Sequence, residues 1–439
     1  MKPTGLLVAV ALAAVVGGVV LWSIKKQAAT PEKSATDTSV KLLTIPAEQF
    51  QEIRIKKPAE TEDLKRVDGK WRILQPKALA ADQDAVTSMV TSLSALTADK
   101  TIDDNATDLK PYGLDAPTLD IVITRTDGKT AELIVGDPTP TNSGNYAKLP
   151  GSSKVYTVAS FVKTGLDKTV NDLRDKRMLT FDSDKITRVL LAAKGAPIEF
   201  GKNGQNEWQI LKPGPLRADA TQVDALVSKL KDAKMDLTVS DDDAKKAVAA
   251  YASGTKIAVA TVSDSSGDQS LEVHKDKDKN YYAKSSVVDG IYKLPSDAGD
   301  ALDKGLDDFR NKKLFDFGFS DPTKIELKGA TYLKSGDKWM SGAKTMDNAS
   351  VQSLIDKLRD LAATKFADKS AGDPALEVTV TSNAGKKVEK VTLRKQGTDY
   401  FAQREGEPSI YQLDGKAVDD IQAAASAVKE AAPEPVKKK

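Results

Sequence analysis

The sequence predicts an α+β protein: an N-terminal transmembrane helix followed by three tandem repeated α+β units with mainly antiparallel sheets. Three observations carry this expectation. Trp71 opens Trp-Arg-Ile-Leu-Gln-Pro, Trp208 opens Trp-Gln-Ile-Leu-Lys-Pro, and Trp339 opens a third, diverged copy; self-similarity of this kind marks repeated structural units. Each copy mixes helical and strand periodicities without a regular βαβ alternation, which suggests α+β domains rather than a parallel sheet. The 22 residues from Pro3 to Ile24 carry no charge, and a helix of that length, rising about 1.5 Å per residue, spans roughly 33 Å, enough to cross a bilayer.

Taken in order, residues 1–26 are expected to be an uncleaved anchor, because the exit Leu21-Trp22-Ser23-Ile24-Lys25-Lys26 offers no small-x-small cleavage site. Without cysteine there is no lipoprotein motif. Lys2 on one side nearly balances Lys25 and Lys26 on the other, so charge does not set the orientation. A short amino-terminal flank before a long folded part is the layout of a signal anchor. That places the protein in the inner membrane, single-pass, with the large domain in the periplasm. Residues 27–41, rich in Ala, Thr, Ser and Lys, read as a linker. Repeat units follow over 42–180, 181–315 and 316–430, and residues 431–439, with two prolines and three final lysines, read as a disordered tail.

Within the units, Val86, Met89, Val90 and Leu93 follow the i, i+3, i+4, i+7 spacing of one helix face, as do Val223, Leu226, Val227, Leu230 and Val351, Leu354, Ile355, Leu358. Asp82, Asp219 and Asp347 stand four residues ahead of these stripes, where a short acceptor caps free amides, so they read as helix starts rather than catalytic acids. Alternating runs begin at Leu119, Ile257 and Leu376 and are followed by further strands, which implies a meander. Asn145-Tyr146-Ala147, Tyr281-Tyr282-Ala283 and Tyr400-Phe401-Ala402 recur, with Tyr156, Tyr292 and Tyr411 ten residues beyond each central aromatic. Closing helices are expected over Val158 to Leu173, Asp297 to Phe309 and Gly415 to Val428. Arg174 and Arg310 then read as cations favouring a last helical turn.

These residues resemble the bacterial domain-of-unknown-function 4340 family: the Trp-x-Ile-x-x-Pro turn, an Ala-Asp helix, and the turn Tyr112-Gly113-Leu114-Asp115-Ala116-Pro117. The similarity is clearest from Phe50 to Phe181 and continues, more diverged, to Val428; the second unit keeps Tyr251 but not the rest of that turn. The resemblance implies an envelope protein without assigned chemistry, linked to gliding-motility-type ABC transport components, and carries no catalytic residue over.

Composition narrows the chemistry further. Lys plus Arg is 65 against 63 for Asp plus Glu, a net charge of +2 that gives no pull toward nucleic acid. Zero cysteines and one histidine exclude disulfides, thiolate sites and multi-histidine metal centres. His274 reads as an exposed strand histidine. Gly-Ala-Lys-Thr within Gly336 to Thr345 lacks phosphate-loop spacing. Asp241-Asp242-Asp243 reads as a helix start, and Asp276, Asp278 and Asn280 are interleaved with lysines, which weakens a cation site. Tyr146, Tyr282, Phe401 and the three tryptophans read as core, since repetition at fixed spacing is what core residues show. No catalytic, cofactor-binding or metal-ligating residue is assigned, and no cofactor.

The reading is therefore a non-enzymatic membrane-anchored scaffold or accessory subunit of an envelope complex, its partners envelope membrane proteins such as ABC transporter components, with no nucleic acid. A glycan- or peptide-binding module would need an aromatic-lined cleft. A hydrolase built on carboxylates alone would need two acids of raised pKa in one cleft.

Overall fold

The computed structural model describes residues 40–319, 322–369 and 372–432. The chain divides into two compact units between Asp175 and Lys176. The α+β expectation is corrected: the protein is mostly β, with 42% strand, 25% helix and four antiparallel sheets. The anchor expected over residues 1–26 falls outside the described residues, as do most of the linker and the tail beyond residue 432. Among the described residues no helix is long and apolar enough to cross a membrane.

The first unit is built on one nine-stranded sheet. From edge to edge it runs Leu79–Ala80, Lys70–Gln75, Thr61–Val67, Phe50–Lys56, Leu119–Arg125, Thr130–Pro138, Gly144–Lys148, Val155–Ala159 and Lys100–Asp103. Strand alternation sends Ile53, Leu64, Ile121, Ile123 and Leu133 to one face, where all are fully buried. The opposite face carries paired charges, with Arg54 gripping Asp63 at 2.7 Å and Lys56 meeting Asp120 at 2.9 Å. The hairpin between Thr61–Val67 and Lys70–Gln75 turns on Asp68 and Gly69, both at positive φ (50° and 77°), as a two-residue connection matching strand twist requires.

The second unit repeats this order twice. One sheet runs Leu216–Arg217, Trp208–Lys212, Ile198–Lys202, Arg188–Ala192, Thr255–Asp264, Gly267–Lys275, Tyr281–Ser285 and Ile291–Leu294. The other runs Lys344–Met346, Lys338–Ser341, Ala330–Ser335, Lys324–Leu327, Asp373–Ser382, Lys387–Gln396, Asp399–Arg404, Ile410–Leu413 and Ala363–Ala367. Register is conserved among the three sheets: Ile53 pairs with Leu64 and Ile123, Val189 with Phe200 and Val262, and Ile325 with Tyr332 and Val380.

Each buried sheet face is covered by a helix: Gln83–Ser94, Ala220–Asp232 or Asn348–Arg359. The residues these helices bury are the three apolar stripes of the sequence. Asp82 accepts from the amides of Asp84 and Ala85, Asp219 from those of Thr221 and Gln222, and Asp347 from that of Ser350, so all three are N-caps. Trp71, Trp208 and Trp339 lie in the cores at 3%, 8% and 5% exposure.

The recurring aromatics need correction by one position. Asn145, Tyr281 and Tyr400 point into the cores, as do Ala147, Ala283 and Ala402 two residues on. Tyr146, Tyr282 and Phe401 between them face the other way and are half-buried. Tyr281 lies flat under the helix Ser296–Leu302, where a Cβ on Gly299 would stand 2.1 Å from its ring, so only glycine fits. The closing helices are also shorter than expected: Val158 lies in the strand Val155–Ala159, and the segments break into Ser160–Leu166 with Val170–Leu173 and Ser296–Leu302 with Leu306–Phe309. The third, Gly415–Ala427, is continuous.

Replacing Trp71 or Trp208 by alanine deletes a large buried side chain and should cost roughly 3 to 5 kcal/mol each. Urea unfolding followed by far-ultraviolet circular dichroism will show an earlier transition in each variant; an unchanged midpoint would contradict the core placement.

Candidate functional site

A cavity of about 860 Å3 lies within the second unit where the second and third repeats meet. It forms because the strand Leu216–Arg217 and the cap Asp219 face residues 311–316 and 404–409. Arg217 is its centre. The guanidinium pairs with Asp316, stands 2.9 Å from Glu407, donates to the phenol oxygen of Tyr411 at 3.1 Å and donates to the carbonyl of Lys313. The Tyr411 hydroxyl in turn donates to Glu407 at 2.8 Å. Burial opposes the charge on Arg217, but Tyr411, Asp316 and Glu407 more than offset it and hold its pKa above the ordinary arginine value. Burial likewise pushes the Tyr411 phenol up, while Arg217 opposes that rise.

Further charges lie behind it. Arg404 donates to Glu407 at 2.7 Å, to Glu389 at 3.1 Å and to the carbonyl of Leu314. Glu389 accepts from the amide of Asp316 at 3.0 Å, and Lys387 donates to the carbonyl of Asp316 at 2.6 Å. The second repeat makes the same backbone contacts with neutral groups: Gln269 accepts from the amide of Thr180 at 2.7 Å, and Ser285 donates to the carbonyl of Met178. Asp316, Glu389 and Arg404 thus occupy the positions of Thr180, Gln269 and Ser285, and the charged set meets Arg217 of the second repeat.

Arg310 belongs here too, and its reading as a last-turn cation is corrected. Its backbone is extended, and the side chain donates to Ser409 at 2.9 Å while lying 3.4 Å from the centre of the Phe366 ring. Arg174 is likewise extended and bridges Ala81. Sequence reasoning missed this cluster because its members are separated by up to 194 positions and look like solvated charges singly. Comparison between repeats could have found it, since Gln to Glu and Ser to Arg at equivalent buried positions is a costly exchange unless partners are supplied.

His274 is not an exposed strand histidine: 14% of its side chain is accessible. Nδ1 lies 2.8 Å from the Tyr251 carbonyl, Nε2 lies 2.9 Å from Glu272, and the ring stacks on Tyr251 at 3.9 Å. It fastens the helix Asp241–Ser253 to the outer face of the second sheet. In the first repeat Tyr112 packs edge-on against Tyr146 at 5.0 Å. The Tyr251 phenol is pushed up to about 12 by burial and then by Glu272. Asp241, Asp242 and Asp243 start that helix behind the cap Ser240. Asp276 accepts the amides of Asp278 and Asn280 as a turn residue, and the Gly-Ala-Lys-Thr segment is a hairpin between Lys338–Ser341 and Lys344–Met346. Among the described residues no cluster of three or more His, Cys, Asp or Glu is arranged to hold a metal. Carboxyls raised by burial, Glu62 and Glu132, lie on opposite faces of the first sheet.

Fold and site define a tandem-repeat β protein whose last two repeats are tied by an internal charge cluster. A family model described as a domain of unknown function (DUF4340) matches residues 71–248 and again 208–376. The chain belongs to that family. Each match begins at a repeat tryptophan, Trp71 or Trp208, and extends into the following repeat. No curated protein and no solved structure matches the chain.

Two outcomes follow from this geometry. Arg217→Ala and Asp316→Ala combined in a double-mutant cycle should show a coupling of roughly 1 to 3 kcal/mol in urea unfolding, and additive effects would contradict the pairing. Glu272 is held below its ordinary value first by the hydrogen bond from His274, against burial and with help from Lys256. A depressed folded-state value means that the stability it contributes is present at neutral pH and is lost as pH falls through that value. Carboxyl titration by NMR should place Glu272 below the ordinary glutamate value of about 4.3, and His274→Ala should move it back up.

Proposed function

We propose that this chain is a non-enzymatic binding protein, a scaffold or accessory subunit of a complex in the cell envelope. The observation that carries this reading is where the aromatic residues go. Trp71, Trp208 and Trp339 are buried in three separate cores, so the feature the repeats share most strongly serves folding. The 860 Å3 cavity contains one of them, Trp208, and its indole is tied by a 2.7 Å hydrogen bond to Asp224. That is poor provision for stacking on a sugar, and the glycan- or peptide-binding reading loses ground. The cavity's acids, Asp316 and Glu407, are already engaged by Arg217 and Arg404, which also speaks against two-carboxylate hydrolysis.

What remains is the contact surface that the repeats display. An envelope setting is supported by the uncharged stretch from Pro3 to Ile24, and envelope membrane proteins, including ABC transport components, are the partners we infer. Complementation of a deletion strain at matched protein level tests the reading. His274→Ala should restore function fully, whereas removing residues 316–430 should abolish it. Failure of the His274 variant alone, with normal folding and abundance, would point to an active site and overturn the proposal.

A further inference from the structure

The second sheet has eight strands where the first and third have nine. In the first sheet the ninth strand, Lys100–Asp103, pairs with Val155–Ala159, placing Thr101 opposite Tyr156. In the third, Ala363–Ala367 pairs with Ile410–Leu413, placing Phe366 opposite Tyr411. The equivalent strand of the second repeat, Ile291–Leu294, pairs among the described residues with Tyr281–Ser285 alone. Burial reflects this: Tyr156 is 7% exposed and Tyr411 1%, while Tyr292 is half-buried and Lys293 exposed. An unpaired edge is a template for another strand.

The chain leading to the missing position is in register in all three repeats. The amide of Leu42 donates to the carbonyl of Leu96, that of Met178 to Ala233, and that of Leu314 to Leu361. Two residues later the amides of Met235 and Ala363 donate to Lys176 and Lys312. Counting on from these anchors, residue 238 stands where Thr101 and Phe366 stand. The path diverges only at Asp236, whose carboxylate accepts the amide of Thr238 at 3.0 Å and its hydroxyl at 2.7 Å, curling the chain away from the edge. The helix Asp241–Ser253 begins immediately afterwards behind its cap Ser240.

We propose that residues 236–239 are a ninth strand held in reserve, able to pair antiparallel with Ile291–Leu294 with Thr238 opposite Tyr292. In that state the amide of Asp236 donates to the carbonyl of Lys293, as the amide of Asp99 donates to Thr157 at 2.8 Å in the first repeat. The Asp236 turn competes with the strand for the Thr238 amide, and that competition sets whether the edge is open or closed. The helix that follows, Asp241–Ser253, already packs against Ile291–Leu294 and Tyr281–Ser285, so the chain between the Met235 anchor and the helix cap leads to this edge. Closing the edge removes a strand-pairing surface from an otherwise fixed repeat.

The absence of cysteine from the chain makes the test direct. In the full-length protein, Thr238→Cys with Tyr292→Cys should oxidise to a disulfide at least about tenfold faster than Val239→Cys with Tyr292→Cys, because a one-residue slip sends the side chain to the other face. Equal rates, or no disulfide from the in-register pair, would overturn the proposal. A second measurement avoids the edge residues altogether. Asp236→Ala removes the competing acceptor, and hydrogen exchange should show residues 236–239 and 291–294 gaining protection together, about tenfold. Exchange at both segments unchanged, or slowed at one alone, would mean that the two do not pair.

Discussion

Every repeat depends on one constraint: a sheet with one apolar face must have that face covered, and here a single capped helix does most of the covering. Alternation along the strands presents Ile53, Val189 and Ile325 at the same point of the three faces, each fully buried. The four-residue stripes of the helices Gln83–Ser94, Ala220–Asp232 and Asn348–Arg359 lie across them. The aspartate caps fix where each helix begins, and the tryptophan strands are tied to that beginning. Gln83 accepts from the amide of Trp71 at 2.9 Å, and Asn348 from that of Trp339 at 3.3 Å. The second repeat reaches the same end through the Trp208 indole and Asp224.

Within the second unit the two repeats are tied differently from the way each is built. Internally they rely mainly on apolar packing, whereas their junction relies on Arg217 set against Asp316 and Glu407 and on Arg310 against Ser409 and Phe366, with Arg404 of the third repeat holding Glu407 and Glu389 in place. Buried charge is costly to desolvate and is tolerated only with its partners in place. The junction therefore specifies one arrangement rather than a range of them. Equivalent positions at the start of the second repeat, Thr180, Gln269 and Ser285, perform the same backbone hydrogen bonding without charge.

Much of this was legible in the sequence because it is local. Helix stripes, aspartate caps and tryptophan strands are read from spacings of a few residues, and repetition removes the ambiguity of any one copy. The α+β expectation erred because short strands such as Leu79–Ala80 and Leu216–Arg217 carry little periodicity, while the closing helices break where Asp167 and Asp303 leave the helical conformation. The recurrence of aromatics at Tyr146, Tyr282 and Phe401 suggests core positions, but strand parity sends these three to the opposite face. The true core positions, Asn145, Tyr281 and Tyr400, vary in type. Arg217 and Arg310 were illegible for another reason: what each touches is decided by chain segments far away in sequence.

The central claim is that charge pairing makes the second and third repeats one cooperative body. Native-state hydrogen exchange on the full chain under rising denaturant tests it most directly. The slowest amides of the helices Ala220–Asp232 and Asn348–Arg359 should converge on a single opening free energy, with one common dependence on denaturant. Two separate openings, with one helix exchanging while the other stays protected, would show that the junction does not couple the repeats and would contradict the account.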